Sequence, residues 1–234
     1  MSRLRSQAGF TVVEMLVATM VLGIVAMGAL TMMDVVLRQG NGVLARTESA
    51  QRGRLALDAM TRQIRSQVCL NEATAGMIGA TPTKLTFYAD LGGGGTRPTK
   101  RMLEYQPGTR TIRESVWVAK ADGTYAAAAT RTTELLDNVV PAVGQSGQPL
   151  PTFGYYAYPD PLPAAPRPDF ALVGTPASAP LTAAQLRRIA MVRINFAVRP
   201  PSARDDAIVT PLRDDIQLRN ADPNNATTPD PTCK

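Results

Sequence analysis

Residues 10–33 read FTVVEMLVATMVLGIVAMGALTMM, an almost unbroken apolar run of 24 residues. At about 1.5 Å per residue this makes a helix of about 36 Å, enough to span a bilayer. From Met15 to Met33 it carries no charge. Arg3 and Arg5 stand in front of it, and basic residues ahead of a span predict a cytoplasmic N-terminus, with the bulk of the chain on the outer side. Glu14 breaks the pattern. A carboxylate in hydrocarbon costs about 3 kcal/mol and normally has a partner. No Lys or Arg occurs between Phe10 and Met33, so the partner must come from elsewhere. Gly23 and Gly28 inside the run permit close helix packing or local melting, or reflect compositional tolerance alone.

Composition removes most catalytic chemistry. The chain has no histidine among its 234 residues, which excludes a Ser–His–Asp or Cys–His unit and every His-ligated metal site. Two cysteines, Cys69 and Cys233, cannot make a four-thiolate zinc site. Apolar residues at 44% are sufficient for a packed core, while 19 Pro and 18 Gly point to a loop-rich fold rather than a helix bundle. No catalytic residue, metal ligand or cofactor motif is expected, and we read the chain as a non-enzyme.

The segment Gly9-Phe10-Thr11-Val12-Val13-Glu14, behind a short basic leader and ahead of the span, closely resembles the type IV prepilin leader. That family comprises pilins of type IV pili and pseudopilins of type II secretion and DNA-uptake systems. The resemblance implies cleavage between Gly9 and Phe10 by a prepilin peptidase at the cytoplasmic face, and N-methylation of Phe10. It makes Glu14 the assembly glutamate, whose implied partner is the Phe10 amine of a neighbouring subunit. A pair of charges in a low-dielectric bundle is favourable only in the correct register, so it reports alignment. Two rival readings of the same run are a plain signal anchor and a secretory signal peptide cut after Ala26-Met27-Gly28.

Beyond Asp34 the pattern stays helical, with a kink expected at Gly40-Asn41-Gly42. Val43, Ala50, Gly53, Leu57, Met60, Ile64 and Val68 fall on one face. Arg46, Arg52, Arg54, Arg62 and Arg65 are expected on the opposite side, as a solvated or filament-facing surface, or as a contact for nucleic acid or lipid head groups. One helix is expected from about Phe10 to about Leu70. Thereafter the period becomes strand-like. Leu85 to Tyr88 reads as a strand, Gly92 to Gly95 as a loop, and Met102–Tyr105 with Thr111–Val118 as a hairpin around Pro107-Gly108. Thr133 to Val140 reads as a strand or a short helical turn, and Phe153 to Tyr158 as an aromatic strand. Residues 159–180 form a Pro-rich insertion. Arg188 to Val198 is the clearest strand. Val192, Ile194, Phe196 and Val198 point inward, while Arg193, Asn195, Ala197 and Arg199 point to water. Asp206 to Leu218 offers a last strand with Asp214 and Asp215 near a turn, and residues 222–234 a flexible tail.

The expected organisation is therefore a leader over 1–9, a transmembrane helix over 10–33, its amphipathic continuation over 34–70, a β-rich domain over 71–221 and a tail over 222–234. The fold class is α+β, a long N-terminal helix packed on an antiparallel sheet domain. This order is similar to that of larger minor pilins and J-class pseudopilins, through Leu57 to Arg65, Leu85-Thr86-Phe87, Tyr105 to Ile112, Leu135 to Val140 and Val192 to Val198. The resemblance implies a single-pass inner-membrane subunit that primes or caps a type IV pilus or type II secretion pseudopilus. Its partners would be prepilin peptidase, other pilins or pseudopilins, and an inner-membrane assembly platform. The alternative is a competence-type minor pilin that contacts DNA through a basic exterior, given 25 Lys+Arg against 19 Asp+Glu and a net charge of +6. Outside the cytoplasm Cys69 and Cys233 are free to pair, although the polar tail can equally leave Cys233 reduced. Asp205, Asp206, Asp214 and Asp215 form the acidic cluster, with no defensible calcium-loop spacing.

Overall fold

The computed structural model describes residues 11–70, 76–91, 97–157, 171–172, 180–201 and 209–218. The chain divides into two units, 1–45 and 46–234. A single helix, α1 (Val12–Arg65), contributes to both. In the first unit it is exposed on every side: Val13, Leu16, Met20, Ile24, Met27 and Leu30 each keep more than half of their surface open. Its winding continues without interruption through Gly40 and Gly42. Val43 is exposed as well, and the buried face begins later than its periodicity predicts.

In the second unit Arg46–Arg65 is amphipathic. Ser49, Gly53, Ala56, Leu57, Met60, Thr61 and Ile64 are buried, at the three- and four-residue spacing of one helix face. The helix stops at Arg65 rather than near Leu70, because the next residues are recruited by a strand. Gln67 bridges Ala89, Val68 N donates to Tyr88 O at 3.0 Å, and Asp90 N to Ser66 O at 3.0 Å. A backbone committed to those bonds cannot also close helical turns.

Two antiparallel sheets follow. The first is a meander of β1 (Met77–Thr81), β2 (Lys84–Ala89), β3 (Thr99–Gln106), β4 (Thr111–Trp117) and β5 (Arg131–Leu136), in that order. The second runs β10 (Thr210–Gln217), β9 (Met191–Val198), β7 (Phe153–Ala157), β8 (Ala171–Leu172). The two-residue β6 (Val139–Val140) pairs with the end of β9 beside β7. The ambiguous stretch from Thr133 to Val140 is thus two strands in two sheets. Asn138 makes the change of sheet with φ 53°, a left-handed conformation that Asn tolerates. Its carbonyl accepts Arg199 N at 3.0 Å, and Val139 N donates to Arg110 O at 2.8 Å. A short helix α2 (Ala183–Arg187) is held by a capping box: Thr182 Oγ1 accepts Gln185 N at 3.3 Å and Thr182 N donates to Gln185 Oε1 at 2.9 Å.

One apolar core joins α1 and both sheets. Met60 and Ile64 of the helix share it with Leu85, Phe87, Leu103 and Ile112 of the first sheet and Phe153, Val192, Ile194 and Phe196 of the second. At Gly53 the helix lies close against the second sheet; a methyl there would collide with Leu212 and Val198. The result is the expected α+β arrangement, a long N-terminal helix and an antiparallel sheet domain.

Two expectations are corrected in the second sheet. Asn195 and Ala197 were assigned to the wet face of β9 but are 3% and 1% exposed. Asn195 Nδ2 donates to Pro151 O at 3.2 Å, in the segment entering β7, and Ala197 pairs with Val140 of β6. Asp214 and Asp215 lie within β10, not at a turn, in register with Ile194 and Arg193.

Candidate functional site

The N-terminal end of α1 is organised by Thr11. Its hydroxyl accepts the Glu14 backbone N–H at 3.3 Å and its carbonyl accepts Met15 N at 3.1 Å, which satisfies two donors of the first turn. The spacing Thr11-x-x-Glu14 is the sequence form of a capping box, a signal that reading Glu14 for its charge alone overlooks. Glu14 is exposed on the first turn. Gly9 and Phe10 lie outside the described residues.

Further along, the hydroxyls of the apolar run are satisfied within the helix. Thr19 Oγ1 donates to Met15 O and Leu16 O at 3.0 and 2.9 Å, and Thr31 Oγ1 to Met27 O and Gly28 O at 3.1 and 2.8 Å. Such back-bonding lets Thr enter hydrocarbon without an unpaired donor. An added Cβ at Gly23 or Gly28 would meet nothing within 4 Å, so no contact among the described residues requires glycine there. By length and composition this helix is able to cross a membrane.

On the domain, the predicted acidic cluster is split by strand geometry. Asp214 turns toward the helix and accepts Thr61 Oγ1 at 2.7 Å. Asp215 turns to the other face, where Arg193 binds it at 2.6 and 2.8 Å and Arg213 at 3.2 Å. The hydrogen bond from Arg193, reinforced by Arg213, holds the Asp215 carboxyl below the usual carboxylate range. Arg193 also donates to Tyr156 Oη at 2.7 Å and lies 4.5 Å from the centre of that ring. Asp205 and Asp206 lie outside the described residues. Among the described residues no three acidic or cysteine side chains gather in a way that would hold a metal ion.

The arginines of α1 do not form one surface. Arg54, Arg62 and Arg65 are exposed, as expected, and so is Arg46. Arg52 is half-buried instead, with Asp137 Oδ1 at 3.3 Å and Glu48 Oε1 at 3.9 Å. It borders an open depression of about 380 Å³ between the helix and the end of β5, whose lining includes Leu55, Ala59 and Leu135. Cys69, just past the helix, is disulfide-bonded rather than a free thiol. Cys233 lies outside the described residues.

Comparison with known families finds one match. Residues 4–30 fit the model of the prokaryotic N-terminal methylation motif. No curated protein matches the chain. The matched stretch contains Gly9, Phe10 and Glu14 and most of the exposed apolar helix. It supports a protein of the type IV pilin type, and with the apolar helix a single-pass membrane-anchored one. Proteins of that type are structural rather than enzymatic, undergo prepilin peptidase processing and assemble with other pilins.

Proposed function

We propose that this chain is a minor pilin or pseudopilin, a subunit that primes or caps a type IV pilus or a type II secretion pseudopilus. The carrying observation is the match to the methylation motif over 4–30, whose described residues from Val12 onward form a helix with exposed apolar side chains. Such a surface is stable in lipid and then among like helices, which is the exchange a filament subunit makes.

In this reading the N-terminus is cytoplasmic and the domain lies outside. Prepilin peptidase cleaves between Gly9 and Phe10, and the Phe10 amine is methylated. An inner-membrane assembly platform then moves the subunit into the filament. There Glu14 pairs with the Phe10 amine of a neighbour. Thr11 supports this role by fixing the first turn, so that the carboxylate stands at a defined place on the helix. Cys69 and Cys233 pair and tie the C-terminal tail to the end of the long helix. The helix followed by antiparallel strands favours the larger minor pilins and J-class pseudopilins within this group.

Glu14→Ala is the test of the docking role. The variant is expected to be cleaved and methylated yet absent from filaments. Normal filament levels of the variant would overturn that role.

A second reading, DNA contact during uptake, draws on Arg54, Arg62 and Arg65, which no carboxylate of the chain neutralises among the described residues. Three cations on one helix face fall short of the about 6–10 phosphate contacts of a firm polyanion binder. No Phe, Tyr or Trp ring is among the exposed large apolar groups, so a stacking platform is missing from the described surface. Weak binding with a shallow salt dependence would fit this surface; tight, steeply salt-dependent binding would favour the DNA reading.

A further inference from the structure

A sheet edge carries a row of N–H and C=O groups without a partner, and native proteins close or blunt such edges. Three of the four edges of the two sheets are obstructed or short. Ala80 O of β1 accepts Leu181 N at 3.0 Å. β10 contains Pro211, which has no N–H, and its Asp215 N donates to Asp214 Oδ1 at 2.9 Å. β8 is two residues long. The edge at β5 is different. This strand pairs with β4 alone and keeps an unbroken register from Arg131 to Glu134, with its bulge confined to the far end. All four of those side chains are exposed, so neither face of the strand is covered there. Among the described residues no hydrogen bond reaches the β5 backbone from any other element.

Beside this edge there is room for one more strand. The open depression of about 380 Å³ runs between α1 and residues 134–137, with Leu55, Ala56 and Ala59 on its helix side. Arg52 and Asp137, paired at 3.3 Å, also line it. Leu55 is 69% exposed, the most open large apolar side chain of the second unit. Side chains of a strand alternate between its faces, so a strand added to β5 would turn every second one toward this depression. An apolar residue there would cover Leu55, while the backbone of the added strand would satisfy the open edge.

The charges of β5 decide between a second copy and another protein. Two copies joined through β5 about a two-fold axis must set equal residues on the same face, so their register centres on a residue. Centred on Arg131 or Glu134, the pairing opposes like charges directly. Centred on Thr132 it sets the two Arg131 side chains on a diagonal, and centred on Thr133 the two Glu134 side chains, about 7–8 Å apart. Every two-fold register over residues 131–134 therefore meets repulsion. A head-to-tail contact between copies would need one of the other edges, which are obstructed or short. We propose that β5 accepts an extended segment of a different subunit of the same filament class, as a sixth strand of the first sheet, with an apolar residue over Leu55 and a carboxylate beside Arg131. Arg131 is exposed and has no ion pair among the described residues. Main-chain bonds supply the affinity of such an addition, and the alternate side chains its specificity. The inference rests on the pilin-type reading and adds the mode of contact and the kind of neighbour.

The test is site-specific photocrosslinking of the full-length chain in its native cells, with the photoreactive residue at position 132 or, separately, at position 134, and the crosslinked peptides identified in the filament fraction. Both adducts are expected on one segment of another protein that carries an N-terminal methylation motif, at residues two apart, as the pairing of strands dictates. Leu55→Asp should reduce their yield about tenfold by placing a charge under the added strand. Arg131→Glu should reduce it several-fold, and Arg131→Lys should retain most of it. Leu55 and Arg131 are exposed, so these variants are expected to melt with the parent chain; if one melts early, the two-residue step in the parent chain decides alone. A self-adduct, a nucleic-acid or lipid adduct alone, adducts that do not keep the two-residue step, or a yield indifferent to Leu55→Asp and Arg131→Glu would each overturn the inference. The N-terminal state of the same samples separates the two levels. A processed chain in filaments with no such adduct overturns only the strand addition, whereas an unprocessed chain overturns the pilin-type reading and this inference together.

Discussion

Gly53 is the residue on which the helix–sheet packing turns. Its missing side chain leaves room for Leu212 and Val198, and both would have to move to admit a methyl. Gly53→Ala improves helix propensity on paper, by about 1 kcal/mol. The overpacking penalty, about 1–3 kcal/mol, is expected to exceed that gain, so the variant should unfold at lower denaturant. An unchanged or raised midpoint would contradict the close approach. Asp215 offers a second test at this scale. Its carboxyl is held below the usual range mainly by Arg193, so its folded pKa lies below its unfolded one. The stabilisation is then complete above the unfolded value of about 3.9 and is lost as pH falls through the folded value. Asp215→Asn should cost about 1 kcal/mol at neutral pH, and the gap to the parent should close below about pH 4. A gap that stays constant down to pH 2 would mean that the Arg193 pair contributes nothing.

At the scale of elements, what could be read from the chain depended on whether the local pattern alone decided the structure. The β3–β4 hairpin is marked by Pro107-Gly108 and β9 by its alternating Val192, Ile194, Phe196 and Val198, so they are legible. The helix was legible too, but its end was not. Ser66 to Val68 obey the helical period and yet leave it, because β2 offers a backbone ladder that lies about 20 residues away in sequence. β1 and α2 escaped notice for a similar reason. Gly79 and Ala80 have little strand propensity, and β1 exists through its pairing with Thr86 and Leu85. The burial of Asn195 also depends on a remote segment, since its partner is Pro151. Of the candidate site, Glu14 was found by its charge and Thr11 was missed, although its spacing to Glu14 is local. The separation of Asp214 from Asp215 follows from strand alternation once both are placed in β10. Cys69 follows the helical element, and its disulfide is best probed by removal. If it joins Cys233, the bond closes a loop on the order of 160 residues, and Cys69→Ser should cost up to about 5 kcal/mol. A Tm unaffected by the substitution and by reductant would contradict that pairing.

At the scale of the whole molecule, a helix with uncovered apolar residues from Val12 to Leu44 belongs to the same chain as a polar-surfaced β domain with its own core. Water cannot accommodate that helix, and the domain does not need a membrane to fold around its core. The full-length chain is expected to stay with the membrane fraction under alkaline carbonate and to leave it with detergent; release by carbonate alone would contradict a spanning anchor. The filament role goes one step further, because it requires that the anchor be processed. Mass spectrometry of the mature N-terminus, from cells with and without prepilin peptidase, tests this most directly. The account predicts a chain beginning at a methylated Phe10 that appears only when the peptidase is present. An intact Met1 in both strains, or a start near Ala29, would contradict it and leave an ordinary anchored or secreted domain.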